Sequence, residues 1–516
     1  MSDGPFPRTG PFPGAYSLSY EFIVLKVKTE PPTSLSRAVG LTTANARLLF
    51  APDEEPGARA DVVARRLGQA IRLGLLIDGE RLPTETQLAA QMGVATVTLR
   101  EALSTLRERG LVVTRRGRSG GTFVRAPADA SEPLRHFGVH ELQELGDQRA
   151  AISGAAAKLA AERALDEEIR RLEEQVERLA ETTGASERRR ADTLLTIAIA
   201  AAAQSSRLTR EEARLRAEVG DLSGLELGDD EHRAIVRDRR ALVAAIKGRK
   251  PAKARDLAER QVLAETQRLI GLRLRMDGAE EAAASDPEHV LAAVVEDLDQ
   301  IFTELHALAA EFVGLLEGAP AGIAVEDLAA LRPSVFSILE RRGDLVSGAG
   351  VVVAPGLLAD AERWLEWWST TTPDAKPEPL RVNLDPTAPD FYDYLTTDWF
   401  AAPRDTLEPS MSGPFVDHAC TNKYAFTLSV PVIAAGEFVG VAATDVLVAS
   451  LETQVMPALL RLDSPAALTT AEGRVIASNC PSVLSGERLD LGEHPTTRSS
   501  SAHPPLDTLV VVDLTP

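Results

Sequence analysis

The sequence contains few cysteines and few aromatic residues, and it lacks long apolar runs. Only two of its 516 residues are cysteine, and 4% are aromatic. Cys420 and Cys480 are too few for a disulfide framework, which is typical of a reducing compartment. No apolar stretch approaches the roughly 20 residues that span a bilayer, and no charged-then-apolar signal segment opens the chain. We therefore expect a cytoplasmic protein that does not contact a membrane.

Negative charge dominates, but it is unevenly distributed. The net charge is -20, whereas residues 59–125 contain 12 arginines against 6 acidic residues, a balance of +6 that leaves -26 for the remainder. A basic module on an acidic body confines contact with nucleic-acid phosphates to one surface, because like charge repels the body from them. With 44% hydrophobic and 26% charged residues, the chain has the composition of a soluble protein of about three domains.

Residues 81–125 begin with the signals of two short helices separated by a turn. Thr84 is expected to start the first helix, since its hydroxyl can accept a backbone N–H one turn later while Gln87 completes a capping box. Gly93 ends this helix, and a second one is predicted over 96–109. The apolar residues expected to bury one face of the second helix are Val97, Leu99, Ala102, Leu103 and Leu106.

A hairpin with a basic tip is predicted to follow. Residues 111–114 alternate as a strand does, residues 115–121 are basic and rich in glycine, and residues 122–124 form a return strand. A helix over 58–75 precedes the segment and completes a three-helix core. Together these elements predict a winged helix-turn-helix.

The ordered series LPTETQLAAQMGV, TLREAL and GGTFV resembles the DNA-binding domain of GntR-type bacterial repressors, over residues 58–125. This chain has Thr86 at a usual arginine and Ala95-Thr96 where the family has Ser-Arg, although Arg100 keeps the arginine of the recognition helix. The resemblance implies that phosphate binding is kept, while the operator sequence stays open. The residues implied in DNA binding are Thr84, Thr86, Thr96, Thr98, Arg100, Arg115, Arg116, Arg118 and Gly120.

Residues 139–276 have a helical pattern with almost no strand signal. Helices are predicted over 141–164, 165–180, 188–203, 207–222, 231–247 and 251–274. The stretch DQRAAISGAAAKLAAERA resembles the opening helix of the all-helical FCD effector domain.

The FCD resemblance implies a site for a metal ion, which is commonly held by one aspartate and three histidines. Asp192 keeps the aspartate position, but the histidine positions fall at Thr196, Arg239 and Gln261. These side chains cannot replace three imidazoles, so we predict no metal. His232 is out of phase with the pattern and is interpreted as a solvated residue near a helix start. The helices then serve as a scaffold for dimerisation and coupling.

The C-terminal part has the pattern of an α+β domain. A long amphipathic helix over 290–316 precedes strands predicted at 350–354, 424–433, 438–443, 467–470 and 475–478. All four tryptophans and three of the five tyrosines lie between residues 364 and 424. Core filling is the plain explanation for Trp364, Trp367 or Trp368 taken singly; the functional alternative is a pocket with aromatic walls and orienting carboxylates.

The stretches FYDYLTTDWF, PFVD and TLSVPVIAAGEFVGVAATDV resemble a Cache domain, a small-molecule sensor related to PAS, over residues 290–480. In amino-acid-binding Cache domains an arginine grips the ligand carboxylate and an aspartate the ammonium. Here Asp445 occupies the position of that aspartate, but Thr397 occupies the position of the arginine. The resemblance therefore implies that the ligand is an amine without a carboxylate. The alternative is a motif that has diverged and binds an acidic or neutral ligand. The implied ligand-binding residues are Tyr392, Thr397, Trp399, Phe400, Asp417, Tyr424 and Asp445.

No catalytic site is expected. Asp417, His418 and Cys420 are close in sequence, but neighbours on a strand point to opposite faces and no glycine-rich oxyanion element flanks them. We therefore predict that the protein has no catalytic residues, no metal and no cofactor.

The sequence predicts a multidomain α+β protein: a winged helix-turn-helix over 51–127, an FCD-like bundle over 137–276 and a PAS-like Cache domain over 289–481. Residues 1–50 are expected to be a disordered extension or a mis-assigned start, 277–288 a linker, and 482–516 a flexible tail with a possible last strand. The predicted function is a homodimeric transcription regulator, a repressor, that binds an operator in double-stranded DNA and responds to a small molecule.

Two alternatives stay open. In one, the bundle senses a carboxylate without metal through Arg149 and Arg239, and the C-terminal domain is an interaction module. In the other, the C-terminal domain is an enzyme that acts on the small molecule.

Overall fold

A computed structural model gives the fold of the chain. It describes residues 59–117, 120–125, 132–135, 137–220, 222, 228–277, 285–319, 322–343, 345–370, 376–419 and 421–515. The extension predicted over 1–50, the wing residue Arg118 and Cys420 lie outside the described residues.

The first unit, here called the head, comprises three helices and a hairpin within residues 59–125. Helices α1 (Arg59–Arg72), α2 (Glu85–Met92) and α3 (Thr96–Glu108) precede antiparallel strands β1 (Val112–Arg115) and β2 (Gly121–Val124).

The predicted start and end of α2 are confirmed. The Thr84 hydroxyl accepts from the Gln87 N–H at 3.4 Å, the Gln87 carboxamide accepts from the Thr84 N–H at 3.2 Å, and Gly93 ends the helix with φ 66°. The buried face predicted for α3 is confirmed at Leu99, Ala102, Leu103 and Leu106. It is wrong at Val97, which is 64% exposed because it lies on the opposite side of the helix.

The second unit, here called the bundle, is all-helical. A short helix α4 (Glu132–Arg135) leads into α5 (Val139–Arg163), α6 (Asp166–Glu181), α7 (Ala185–Ala202), α8 (Ser206–Val219), α9 (Asp229–Lys247) and α10 (Pro251–Asp277). The six helices predicted from periodicity are confirmed, with ends shifted by a few residues.

The third unit, here called the sensor region, begins with the long helix α11 (Pro287–Glu317) and a shorter α12 (Arg332–Arg341). Its main sheet is antiparallel with order β5-β4-β3-β8-β7-β6. The strands are β3 (Val346–Val353), β4 (Trp364–Ser369), β5 (Glu378–Pro379), β6 (Ser410–Val416), β7 (Tyr424–Ala434) and β8 (Glu437–Leu447). Helix α13 (Asp398–Thr406) precedes β6, and α14 (Val448–Leu459) follows β8.

A second sheet closes the chain. Strands β9 (Ala466–Thr469), β10 (Val475–Ser478), β11 (Thr496–Arg498) and β12 (Val510–Asp513) pair in the order β10-β9-β12-β11. The last strand expected in the tail is therefore present as β12, between β9 and β11. A boundary at residue 481 divides this sheet, because β11 and β12 lie beyond it.

The three units pack on one another through shared hydrophobic clusters. Leu142 and Leu269 of the bundle belong to the same cluster as Phe302 of α11 and the buried faces of β3, β7 and β8. The head core in turn includes Ile197 and Ala213 of the bundle. Among the described residues, no helix is long and apolar enough to cross a membrane.

Candidate functional site

The head presents most of the residues expected to contact DNA. Thr84, Thr86, Arg100, Arg115 and Arg116 are exposed, and Thr96, Thr98 and Gly120 are half-buried. They lie around α2, α3 and the wing, whose apolar sides form the head core. The placement leaves these side chains accessible to a duplex.

Two of the arginines are oriented by neighbouring residues. Arg100 Nε donates to Glu85 Oε2 at 2.6 Å and so connects α3 to α2. Both partners are largely exposed, where such a pair contributes little to stability and can exchange for phosphate. The Arg115 guanidinium lies 4.8 Å from the centre of the Phe123 ring, which holds it beside the wing.

The wing turn requires glycine at position 120. A Cβ on Gly120 would lie 2.5 Å from the Arg115 carbonyl oxygen and 2.8 Å from that of Gly117. The Gly120 N–H donates to the Gly117 carbonyl at 2.9 Å. Any side chain at residue 120 would therefore displace the backbone of Arg115 or Gly117.

In the sensor region, β4 separates the tryptophan cluster into two faces. Trp364, Glu366 and Trp368 share one face, where the indole of Trp368 donates to Glu366 Oε1 at 2.9 Å and Arg332 Nε donates to the same oxygen at 2.6 Å. Trp364 and Trp368 thus fill the layer beneath α12, in agreement with the prediction that these tryptophans are core residues. Trp367 faces the other side.

A cavity of about 30 Å³ lies on the Trp367 side of the sheet. It contains four of the seven predicted ligand-binding residues: Tyr392, Trp399, Asp417 and Asp445. Its remaining lining is Leu365, Trp367, Leu380, Phe415, Ala419 and Thr427. A space of this size holds about two water molecules, so in this conformation the cavity fits only a very small occupant.

Asp445 is one of two buried acids that line this cavity, and Asp417 is the other. Asp445 is 5% exposed, and the Thr427 hydroxyl donates to its Oδ1 at 2.7 Å. Burial and the nearby Asp417 carboxylate raise the pKa of Asp445 to about 7, against the opposing effect of the Thr427 hydrogen bond. Near neutral pH it is therefore poised between the neutral and charged forms.

The loop after β6 fixes Asp417. Its carboxylate accepts from the backbone N–H groups of Ala419 at 3.2 Å and Thr421 at 2.9 Å. The neighbouring His418 side chain is exposed and lies 3.5 Å from the Asn422 amide oxygen. The two backbone N–H groups thus hold the Asp417 carboxylate in its own loop.

Three predicted residues do not line the cavity. The Thr397 hydroxyl donates to the Tyr394 carbonyl at 2.6 Å just before α13. Phe400 is fully buried and packs edge-on against Tyr394. Tyr424 lies at the edge of the bundle, where its ring stacks on His140 with centroids 5.4 Å apart.

Sequence reasoning missed Thr427, and it favoured core filling for Trp367, which lines the cavity. Trp367 faces the cavity because side chains alternate along a strand and it is two residues from Leu365 on β4. Thr427 faces the cavity because it is the direct cross-strand partner of Asp445. The Trp367 ring lies over Gly348, where a Cβ would be 2.7 Å from the indole Nε1. That Nε1 is buried and has no hydrogen-bond partner among the described residues.

The bundle contains a larger cavity, of about 230 Å³, at the positions compared with a metal site. Asp192 lines it and is paired with Arg216 and, at 2.7 Å, with Arg239; Arg239 also donates to Gln261 at 2.8 Å. The Thr196 hydroxyl donates to the Asp192 carbonyl in its own helix. Two guanidinium groups therefore hold the carboxylate that the resemblance assigned to a metal. The interpretation of His232 as a solvated residue is wrong, because its side chain is 6% exposed and lines the same cavity.

These buried charges are strongly perturbed. Burial alone would raise the pKa of Asp192, but Arg239 and Arg216 hold it well below its usual value. Glu265 is affected in the same way, since Arg149 and Arg216 outweigh burial and lower its pKa to about 2. Both carboxylates are charged at neutral pH, so they compensate the arginines around the cavity.

Arg189 connects this cavity to the head. It lines the cavity, and its guanidinium lies 2.8 Å from the position that a Cβ on Gly74, at the end of α1, would occupy. Burial and the Arg216 charge lower the pKa of Arg189 to about 10. Gly74 has φ 67°, so a larger residue there would meet both backbone strain and the guanidinium.

Three segments of the chain match known protein families. Residues 59–124 match the bacterial regulatory proteins of the gntR family, residues 144–264 match the FCD domain, and residues 380–453 match the first PDC sensor domain of methyl-accepting chemotaxis protein-like sequences. The three resemblances are thereby confirmed, each for its own segment.

Curated relatives are similar over part of the chain. RmpR of Mycobacterium gastri, named as an HTH-type transcriptional regulator, is 45% identical over 165 residues, which are 31% of this chain and 60% of that protein. The HTH-type regulator SmoD of Agrobacterium fabrum is 39% identical over 75 residues, 14% of this chain and 31% of SmoD. The Glc operon transcriptional activator of Escherichia coli is 35% identical over 104 residues, 20% of this chain and 41% of the activator. The chain spans three-fifths or less of each of these relatives.

Solved structures are each similar to less than half of the chain. E. coli McbR/YncC is 20% identical with a TM-score of 0.28, covering 43% of this chain and 99% of its own. A structure named Methyl-accepting Chemotaxis protein X is 17% identical with a TM-score of 0.28, covering 43% of this chain and 98% of its own.

Proposed function

We propose that this chain, which joins a GntR-type winged helix-turn-helix to an FCD domain and a PDC-type sensor domain, is a transcription regulator controlled by a small molecule. The main support is the structure of the head: five of its expected DNA contacts, Thr84, Thr86, Arg100, Arg115 and Arg116, are exposed, while its apolar core is continuous with the bundle. The bundle shares a second core with the sensor region. A change in either internal cavity can therefore alter how the head is held.

The proposed effector is a small amine bound in the sensor cavity. Two carboxylates, Asp445 and Asp417, border a space walled by Trp367, Tyr392 and Trp399. Negative charge and aromatic faces both attract a cation, whereas no cationic side chain lines this cavity among the described residues. The buried indole N–H of Trp367 is available to an acceptor atom of a ligand.

The protein is proposed to act as a homodimeric repressor. Two heads related by a twofold axis match successive major grooves of a near-palindromic operator. The amine would change the relative pose of the heads, by no more than its difference in affinity for the two poses, typically about 1–3 kcal/mol. Since such a protein acts on the chromosome, it is proposed to work in the cytoplasm of a bacterial cell.

The proposal is tested with the full-length protein in two steps. An operator is first selected from a random duplex library, and its protection is measured by footprinting. Small aliphatic amines and matched carboxylates are then titrated by calorimetry, and their effect on operator affinity is measured. We expect heat with amines and weaker operator binding in their presence.

The matched variants are Asp445→Asn in the cavity and Asp405→Asn on the surface, where Asp405 pairs with Arg404. The first should abolish the response to amines and the second should preserve it. No protected DNA would refute the regulator itself; heat with carboxylates alone would refute the amine.

A second candidate places the effector in the bundle as a carboxylate without metal. The bundle cavity is larger, and Arg188, Arg189, Arg216, Arg239 and Arg268 line it. Arg189 also contacts the head. Of the two arginines first considered, Arg239 lines this cavity, whereas Arg149 is 2% exposed and pairs with Glu265 at 2.7 Å. A response that survives Asp445→Asn but is lost in Arg239→Gln would favour this candidate.

A further inference from the structure

Val97 is a large apolar side chain in an unexpected place. It is 64% exposed, equal to Leu165 as the most exposed large apolar residue in the described part of the chain. It is the second residue of α3, the recognition helix of the head. In the part of the chain that the structure describes, Val97 belongs to no hydrophobic cluster of the head.

Helix geometry places Val97 on the outer ridge of α3. At about 100° per residue, Val97 lies about 200° from Leu99 and about 180° from Leu106, both of which are fully buried. The outer ridge of this helix is the side that a duplex would meet if the head docks by its recognition helix.

Local stability does not account for valine here. At an exposed helix position packing imposes no choice, and β-branched valine is a poorer helix former than alanine, glutamate or lysine. The flanking Thr96 and Thr98 are also β-branched, so the first turn of α3 is a run of residues unfavourable for a helix. Helix propensity therefore gives no reason for a valine at the exposed position 97.

The first turn of α3 is also uncharged. Residues 96–99 contain no ionisable side chain, and the nearest arginine on the helix, Arg100, is held by Glu85 of α2 at 2.6 Å. Arginine and lysine read guanine, and asparagine and glutamine read adenine, through bidentate hydrogen bonds. Val97 offers none of these donors, only methyl groups.

We propose that Val97 determines operator specificity by packing against the 5-methyl group of a thymine in the major groove. The inference rests on the proposed DNA-binding function and names one base that the head reads. Of the four bases, only thymine presents a methyl group in the major groove, and an exposed isopropyl group is its apolar complement. Burying the two against each other removes apolar surface of both from water.

The test removes the methyl group of thymine and the two methyl groups of Val97 separately. Full-length protein selects an operator from random duplex DNA, and each thymine of one half-site is then replaced in turn by deoxyuridine, which lacks only the 5-methyl group. At one position we expect binding to weaken about four-fold, the factor for burying one methyl-sized group. Val97→Ala removes the contact from both heads of the proposed dimer, so it should bind the thymine operator about four-fold more weakly for each head, or about 16-fold in all, and be insensitive to deoxyuridine at that position.

Leu165→Ala is the matched control, because Leu165 has the same exposure and lies on the bundle. It should retain the sensitivity to deoxyuridine. Val97→Ala keeps a good helix former at the position, so the head stays folded. If deoxyuridine at every thymine affects wild type and Val97→Ala equally, the inference is overturned. Failure to select any DNA overturns both the inference and the proposed function.

Discussion

Asp445 is a carboxyl group whose surroundings favour its protonated form. Burial, with a smaller effect from Asp417, raises its pKa from 3.8 to about 7. A cationic amine needs the charged form, so binding an amine below pH 7 must release a proton. Linkage then requires apparent affinity to be constant above pH 7 and to fall towards about ten-fold per pH unit below it.

Calorimetry between pH 5.5 and 8.5 measures this dependence. Below pH 7 the observed heat should also vary with the ionisation enthalpy of the buffer, because a proton is released. Asp445→Asn should show no amine binding throughout the range. An amine affinity that is independent of pH in the wild type would contradict the assignment of Asp445 as its partner.

Asp192 illustrates a different residue-scale effect, a buried charge that compensates two others. Its carboxylate pairs with Arg216, 4% exposed, and with Arg239. Removing one member of such a buried network leaves uncompensated guanidinium groups, at a cost of about 3–5 kcal/mol. We expect Asp192→Ala to lower the free energy of unfolding by about that amount in denaturant titrations.

Asp230→Ala is the matched control in the same unit, since Asp230 pairs with Arg233 at the surface and its side chain is 94% exposed. It should leave the unfolding midpoint almost unchanged. Equal midpoints for the two variants would show that the bundle does not depend on the Asp192 network.

At the scale of elements, α5 and α14 meet where the bundle joins the sensor region. The His140 N–H at the start of α5 donates to Glu452 Oε2 of α14 at 2.9 Å. Glu452 is 2% exposed, and burial raises its pKa from 4.5 to about 7 despite the His140 hydrogen bond. The junction therefore contains an acid that the folded protein holds preferentially in its neutral form.

The sign of the pH effect follows from this raised pKa. The stability that neutral Glu452 contributes is fully present below pH 4.5 and is lost as the pH rises to about 7. For a pKa shift of this size the free energy of unfolding falls by about 3 kcal/mol over that range. Glu452→Gln removes the ionisation but keeps an acceptor for His140. Thermal midpoints should therefore rise relative to wild type at pH 8 and differ little at pH 4.5. Parallel midpoint curves would contradict the prediction.

The elements that could be predicted from sequence are those with one clear period. The bundle helices and α11 have an apolar stripe every three to four residues, and β7 and β8 are long apolar runs separated by the turn Gly436. Strand β6 was missed because Gly413-Pro414 has the composition of a turn. Strand β4 was missed because a buried glutamate lies among its tryptophans.

The residues that line the sensor cavity could be predicted only in part. Asp445, Trp399 and Tyr392 come together as the Cache resemblance implied. Phe400 does not, because consecutive residues of α13 lie about 100° apart and only one can face the cavity. Val97 was misplaced for a related reason: a hydrophobic residue two positions before Leu99 suits a strand-like face, not the buried side of a helix.

At the scale of the molecule, a basic head is attached to an acidic remainder, so binding to DNA should depend strongly on salt. The residues expected to meet phosphate in each head include Arg100, Arg115 and Arg116, all exposed. Each neutralised phosphate adds about 0.9 to the slope of log affinity against log salt concentration, because bound counterions are released. The slope therefore counts phosphate contacts over the whole assembly.

Arg116→Gln uses this count to test the dimer. If two heads bind one operator, the variant removes two phosphate contacts and should lower the magnitude of the slope by about 2; a single bound head would lower it by about 1. Fluorescence anisotropy from 50 to 300 mM salt measures the slope. Arg170→Gln is the control, since Arg170 is exposed on the bundle and pairs with Glu167, and it should leave the slope unchanged. An unchanged slope for Arg116→Gln would exclude that wing residue from phosphate contact, whereas a decrease near 1 would refute the dimer on DNA.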